Sequence, residues 1–160
     1  MKKLIVLLFA AATLSLVITS CGKDDPDEPV VNTQQLESEH SEFNDTYLVY
    51  DIDLSKDSST IYVYNAVFTM GEISSGAMDV RVDAPCTVDK TGKVYTYSGT
   101  DIIPYLVRNG SPVPVPGLRV NHLSSVVNVE KKTYSISFDC IGTVMGKEIN
   151  GHYDKEGKLK

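Results

Sequence analysis

A side-chain period of two runs through most of the chain after position 47 and restricts it to β structure. The clearest stretch is TYSISFDC at positions 133–140, where polar residues alternate with Tyr134, Ile136, Phe138 and Cys140. Strands with one buried and one solvated face have this period, whereas an amphipathic helix repeats about every 3.6 residues. The pattern therefore predicts antiparallel strands that turn one face toward a core.

Comparable stretches recur at intervals of about 8–12 residues, separated by turn residues. They include YLVYDIDL from position 47, MDVRVD from position 78 and VYTYSG from position 94. About seven to nine strands without a helix are typical of a sandwich or a barrel. We predict an all-β domain over residues 45–160, folded as an antiparallel up-and-down barrel of about eight strands, with a β-sandwich as the alternative.

The segment from Ile102 to Leu118 departs from this alternation. Its Asn109-Gly110 pair is a strong hairpin signal, because both residues tolerate the positive φ angles of a tight turn. Prolines at positions 112, 114 and 116 exclude a central strand, since proline donates no backbone hydrogen bond. We predict an extended loop or an edge segment here.

The N-terminus has the order of a secretory targeting segment. Lys2 and Lys3 precede an apolar run of 15 residues at positions 4–18, which is shorter than the ~20 residues of a membrane-spanning helix. Two small residues then lead to Cys21. This order resembles the signal of bacterial lipoproteins. The resemblance implies a signal peptide at 1–20, a lipid thioether on Cys21 and acylation of the new N-terminus, for example with palmitate. The alternative is a plain signal peptide with an incidental cysteine.

Residues 21–44 are predicted to form an acidic, disordered tether. The stretch KDDPDEP contains five charged residues and two prolines, and apolar residues stay sparse as far as Phe43. Such a composition buries too little apolar surface to offset the entropy lost on ordering. A weak helical pattern at 33–46, with Leu36 and Phe43 on one side, is the exception.

The sequence CGKDD resembles the export signal of surface lipoproteins of Bacteroidetes, in which a lysine and two acidic residues follow the lipidated cysteine. Lys23, Asp24 and Asp25 match that pattern. The resemblance implies a lipid-anchored outer-membrane protein displayed at the cell surface, with the periplasmic face as the alternative. The net charge of −6 argues against nucleic acid as a partner. An acidic domain is also repelled by an anionic bilayer surface, so the lipid anchor would be its contact with the membrane.

Three further blocks lie within residues 47–153: STIYVYNAVF, YTYSGTDIIP and YSISFDCIG. They are similar to the calycin-like β-barrel domain of small Bacteroidetes lipoproteins. The resemblance implies an antiparallel barrel of about eight strands with a central cavity, and it implies no catalytic residues. The proline-rich stretch at 112–116 fits this family least well.

The residues that carry chemistry do not form a known catalytic pattern. The sequence contains no GxSxG, no HExxH and no glycine-rich phosphate loop. His40, His122 and His152 lie far apart, and none has a histidine partner at strand or helix spacing. We predict no metal site, no cofactor and no enzymatic activity.

Two cysteines remain once Cys21 is lipidated, in a compartment that permits disulfides. Cys86 and Cys140 both fall on apolar phases of their predicted strands. A bond between them would close a loop of roughly 55 residues and stabilise the fold by ~4 kcal/mol in the chain-entropy model. The alternative is two separate buried thiols, and the sequence leaves both open.

Six tyrosines on predicted strands are the candidate ligand residues: Tyr50, Tyr62, Tyr64, Tyr95, Tyr97 and Tyr134. If they lined a barrel interior, their rings and hydroxyls would suit an apolar ligand with a few polar groups, or a stacked sugar ring. The alternative is a filled core, because a barrel of about eight strands is only just wide enough for its own side chains. We favour the filled core for most of them.

These observations lead to two functional hypotheses. The first is a non-enzymatic lipoprotein that binds a small amphipathic or carbohydrate ligand at the outer membrane. The second is a structural or interaction subunit of a cell-surface complex, in which the apolar segment Ile102–Leu118 contacts a partner protein. An enzyme would need acidic residues that converge in a cleft, which sequence alone does not reveal.

Overall fold

Thirteen strands make up the regular structure of the described chain. The computed structural model describes residues 32–70, 73–144 and 146–160, and these contain strands and turns but no helix. Within these ranges, therefore, no helix has the length and apolar character needed to cross a membrane. The predicted signal peptide and the residues Cys21, Lys23, Asp24 and Asp25 lie outside the described ranges.

The strand bounds are β1 (Thr33–Glu37), β2 (Tyr47–Asp53), β3 (Ser59–Ala66), β4 (Thr69–Met70), β5 (Ile73–Ser74), β6 (Met78–Ala84), β7 (Cys86–Val88), β8 (Val94–Gly99), β9 (Tyr105–Arg108), β10 (Ser111–Pro114), β11 (Leu118–Asn128), β12 (Thr133–Val144) and β13 (Lys147–Lys158).

The strands form two sheets in which every pairing is antiparallel. Sheet 1 has six strands in the order β1-β2-β3-β6-β9-β10. Sheet 2 has seven strands in the order β5-β4-β13-β12-β11-β8-β7. Along the described strands the chain passes between the sheets five times, and the two shortest passages are corners, one after β3 and one after β6, across Pro85.

The prediction of an all-β antiparallel domain is confirmed. The described strands form two sheets and not one closed barrel, which agrees with the sandwich alternative. The corners explain why the described strands form two sheets instead of one barrel. A chain that bends at a corner ends its pairing in the first sheet and begins a new pairing in the second. At the first corner, Asn65 has a φ of 53° beside a bulge, a conformation that asparagine tolerates.

The ordered domain begins earlier than the predicted boundary at position 45. β1 lies inside the segment 21–44 and pairs with β2 over five residue pairs, from Thr33 opposite Asp53 to Glu37 opposite Val49. Neither disorder nor a helical turn is therefore found at positions 33–37. The polar composition of β1 concealed this strand, since its order comes from pairing with β2 and not from burial of its own side chains.

The core lies between the two sheets and follows the predicted alternation on the strands where only one phase is apolar. Side chains predicted to face inward and found buried are Leu48, Tyr50, Ile52, Val80, Val82, Tyr134, Ile136, Phe138 and Cys140. Leu54 and Met78, at strand ends, are only half-buried. Branched and aromatic side chains of this kind suit a pleated surface with one buried face.

The proline-rich segment forms the hairpin β9–β10, as the Asn109-Gly110 pair predicted. These two residues have φ angles of 50° and 75°, and β10 is an edge strand of sheet 1. The N–H of Val115 donates to the carbonyl of Pro104 at 2.9 Å, and hydrogen-bonded pairs alternate along an antiparallel ladder. The backbone nitrogens at positions 112 and 114 therefore face the open edge. Since both are prolines, that edge lacks two donors that another chain could use.

Replacing Pro112 and Pro114 together with threonine should make the protein self-associate. The double variant restores two outward N–H groups on a strand of otherwise suitable composition, so edge-to-edge pairing becomes available. We expect larger species in light scattering coupled to size exclusion as concentration rises. Val113→Thr is the control, because the N–H of residue 113 points to β9. A double variant with the same mass distribution as the unaltered protein would contradict this account of the edge.

Candidate functional site

An apolar cavity of about 180 Å³ lies between the two sheets at one end of the domain. Both sheets and the connections beside the hairpin contribute to its wall, which includes Val80, Leu106, Val120, Phe138, Pro104 and Val115. The family resemblance implied a central cavity lined by tyrosines, but the sequence did not predict a cavity at this place, and the apolar residues of 102–118 were interpreted as a surface contact.

The wall offers almost no polar group. The Ser75 hydroxyl accepts the backbone N–H of Phe68 at 2.8 Å, so it is already engaged within the chain. The Cys140 thiol also lines the cavity, and burial raises its pKa to about 11, which keeps it neutral at physiological pH. Among the described residues, no charged side chain lines the cavity.

The cavity is large enough for part of a small apolar molecule. An apolar protein cavity of roughly 150 Å³ holds a benzene molecule, whereas sites for whole drug-sized ligands run to about 300–1,000 Å³. The volume of about 180 Å³ therefore suits a ring or the end of an alkyl chain, with the rest of the ligand outside.

Four of the six predicted ligand tyrosines fill the core. Tyr50, Tyr95, Tyr97 and Tyr134 have at most 5 % of their surface exposed, and none of them lines the cavity. The ring centroid of Tyr50 lies 5.6 Å from that of Tyr97 and 6.2 Å from that of Tyr134. These contacts join the inner faces of the two sheets. The prediction that most of these tyrosines pack as core residues fits this arrangement.

The hydroxyl groups of these rings are deeply buried. Ser125 donates to the carbonyl of Ser135 at 2.8 Å, so its oxygen accepts from the Tyr50 hydroxyl at 3.1 Å. The hydroxyls of Tyr97 and Tyr153 have no hydrogen-bond partner among the described residues. Burial raises the pKa of Tyr50, Tyr97 and Tyr153, so all three remain protonated.

Tyr62 and Tyr64 lie on the outer face of sheet 1 and so are not cavity residues. Both phases of β3 carry large side chains, and Ile61 and Val63 occupy the buried phase. Tyr64 instead stacks on Tyr47 with ring centroids 4.6 Å apart. The predicted role of Tyr62 and Tyr64 was wrong because the period of two could not distinguish the two faces of this strand.

Cys86 and Cys140 are both free thiols, so the disulfide alternative is not formed in this structure. Cys86 lies in β7 and Cys140 in β12, and sheet 2 places β8 and β11 between them. Three strand spacings of ~4.8 Å exceed the ~7 Å limit between the Cα atoms of a disulfide. Burial raises the pKa of the Cys86 thiol as well.

Two histidines that are 30 positions apart meet on the outer face of sheet 2. His122 Nδ1 lies 2.9 Å from one carboxylate oxygen of Asp139, and His152 Nδ1 lies 2.8 Å from the other. These hydrogen bonds hold the pKa of Asp139 below its usual range. His122 reaches this position through a bulge in β11, where its φ is 53°, and sequence spacing gives no sign of the contact.

The remaining histidine lies elsewhere. His40 contacts Asp45 at 2.6 Å and Glu37 at 3.3 Å near the start of the domain. Across the described ranges, no group of three or more histidine, cysteine, aspartate or glutamate side chains is arranged to hold a metal ion.

No family model, no curated protein and no solved structure matches this chain.

Proposed function

We propose that the protein is a non-enzymatic, lipid-anchored binding module of the outer membrane that holds the apolar part of a small amphipathic ligand. The observation that carries this proposal is the cavity between the sheets, whose wall is apolar and uncharged. Burial of hydrocarbon in such a site contributes about 0.8 kcal/mol for each CH₂ group. The anchor at Cys21 and display at the cell surface rest on the resemblance to lipoprotein signals.

The cavity favours an amphipathic ligand over a carbohydrate. Every sugar hydroxyl that leaves water needs a hydrogen-bond partner, and an unpaired one costs about 1–3 kcal/mol. The wall offers the Ser75 hydroxyl, which already accepts an N–H, and the Cys140 thiol, which is a weak donor. A hydrocarbon group has no hydroxyl that needs a hydrogen-bond partner.

A non-enzymatic role fits the positions of the titratable groups. Asp139 and its two histidines project from the outer face of sheet 2, whereas the neighbouring Phe138 and Cys140 of the same strand face the cavity. Strand alternation therefore separates these polar groups from the apolar site by the thickness of the sheet.

The chain enters the domain at the end of sheet 1 remote from the cavity. Thr33, the first residue of β1, pairs with Asp53, at the same end as the pair Ser59 and Ala84. The cavity lies at the other end, beside Met78. The connection from a lipid anchor at Cys21 would therefore join the domain at the end opposite the cavity.

The alternative is an interaction subunit that contacts a partner through Ile102–Leu118. Within that segment, Ile103 and Val113 are the exposed large apolar side chains, at 38 % and 49 % of their surface. A partner would have to use these two side chains, since the edge of β10 lacks donors at both of its prolines. The cavity makes ligand binding the stronger proposal.

Val80→Phe tests the proposed function by filling the cavity. Val80 is 4 % exposed and lines the cavity, so a phenyl ring at this position takes the space of the ligand. We expect 1-octanol to bind at least about tenfold more weakly, because excluding even two CH₂ groups costs about 1.6 kcal/mol. The measurement is a nuclear magnetic resonance titration of the chain from position 21, with Cys21→Ser to prevent lipidation.

Val127→Phe is the matched control. Val127 is fully buried but does not line the cavity, so the same enlargement should lower the free energy of unfolding by about 1–3 kcal/mol. Val80→Phe should be tolerated better, since it grows into free space. Unchanged octanol affinity in the Val80→Phe protein would remove the basis of the proposal.

A further inference from the structure

A polar depression on the rim of sheet 1 lies next to the cavity. Met78 and Leu106 line both, so the two spaces adjoin through these side chains. The depression is also lined by Asn65, Asp79 and Arg108. An apolar site beside a polar one is the arrangement that an amphipathic molecule requires.

Arg108 is the cation at this rim. It is the last residue of β9, two positions after Leu106, and its side chain is exposed. Across the described part of the chain, its guanidinium has no hydrogen bond and no ion pair, in contrast to Arg81 with Asp83 and Arg119 with Asp101. An unpaired guanidinium presents donors in a planar fork that fits carboxylate and phosphate oxygens.

The carboxylate in the depression, that of Asp79, forms a hydrogen bond within the chain. Asp79 accepts the backbone N–H of Asn65 at 2.9 Å, which engages one of its oxygens within the chain. No ion pair within 4.0 Å joins Asp79 to Arg108. The guanidinium remains available to an external anion.

We propose that the ligand is an anionic amphiphile, whose hydrocarbon end lies in the cavity and whose head group pairs with Arg108 at the rim. This inference rests on the proposed function, since it assigns the ligand class of the same cavity. The shared chemistry is a single alkyl chain with a carboxylate or phosphate head. Arg108 is then the residue that distinguishes anionic from neutral amphiphiles.

The test compares ligands that have the same chain and different heads. Octanoate, octyl phosphate and 1-octanol are titrated into the Cys21→Ser chain from position 21, and dissociation constants are obtained from nuclear magnetic resonance shifts. We expect at least one of the anions to bind about three- to tenfold more tightly than octanol, the range for an exposed but charge-assisted contact. Arg108→Gln should abolish that difference in affinity between the anions and octanol.

Lys90→Gln is the matched control for charge. It removes one positive charge from a residue that lines neither the cavity nor the depression. The anion preference should survive in this variant. Equal affinities for all three ligands, or an anion preference that Arg108→Gln leaves intact, would overturn the head-group assignment while the cavity proposal stands. Failure of all three ligands to bind would instead overturn the proposed function, and the inference with it.

Discussion

Replacing Tyr50 with alanine should lower the free energy of unfolding by about 3–5 kcal/mol, the range for truncating a buried aromatic side chain. Tyr50 is fully buried in sheet 1, and its ring contacts Tyr97 and Tyr134 of sheet 2. Alanine would leave a cavity where the two sheets meet, and the surrounding strands can relax only in part. Urea unfolding, followed by tyrosine fluorescence or circular dichroism, measures the change.

Tyr50→Phe separates the ring from its hydroxyl group. The phenylalanine variant retains the ring contacts and loses the hydrogen bond to Ser125, whose own proton still goes to the Ser135 carbonyl. We expect a cost of about 1 kcal/mol. A Tyr50→Ala protein as stable as Tyr50→Phe would mean that the ring does not join the two sheets in the way that the structure shows.

Gly142→Ala should destabilise the protein by about 3 kcal/mol or more, because strain and a backbone clash act together. Gly142 has a φ of 154°, and an added Cβ would lie 2.0 Å from the carbonyl oxygen of Gly117. That carbonyl accepts the N–H of Thr143 at 2.9 Å. The added Cβ would therefore disrupt a hydrogen bond between β12 and the residue that precedes β11. Denaturant unfolding gives the magnitude.

The same substitution should also weaken ligand binding. Gly142 pairs with Leu118, and both Leu118 and Cys140 line the cavity, so separating β11 from β12 displaces the cavity wall. Octanol titration of the folded fraction measures this effect.

Gly110→Ala provides the comparison. Gly110 has a φ of 75°, but nothing lies within 4 Å of an added Cβ, so this variant reports the conformational cost alone, about 1–2 kcal/mol. If Gly142→Ala cost no more than Gly110→Ala, the close approach of β11 and β12 would not be a constraint in solution.

The local sequence pattern was sufficient to predict the buried face of a strand where one phase is apolar and the other is polar. β2, β6 and β12 have such patterns, and their inner residues were predicted correctly. β3 shows the limit of this reasoning, because Ile61 and Val63 on one phase compete with Tyr62 and Tyr64 on the other. The choice between them depends on the register with β2, which pairs Tyr64 with Tyr47.

β1 shows a different limit. Its composition is mostly polar, so nothing in its own sequence indicates a strand. Its order comes from pairing with β2, and two contacts at its end come from residues far along the chain: Ser38 forms a bridge with Leu159, and Glu37 pairs with Lys160. These partners lie more than 120 positions away, a separation over which local periodicity carries no information.

The sequence by itself determined the class of fold, the inner faces of the strands with one apolar phase, the tight turn at Asn109-Gly110 and the edge position of the prolines. Each follows from steric preference or periodicity over a few neighbouring residues. Only the tertiary structure decided that two sheets form, that Cys86 and Cys140 stay apart and that an apolar cavity lies between the sheets. These features depend on which distant strands pair and at which register, and that choice is made by the packing of the whole core.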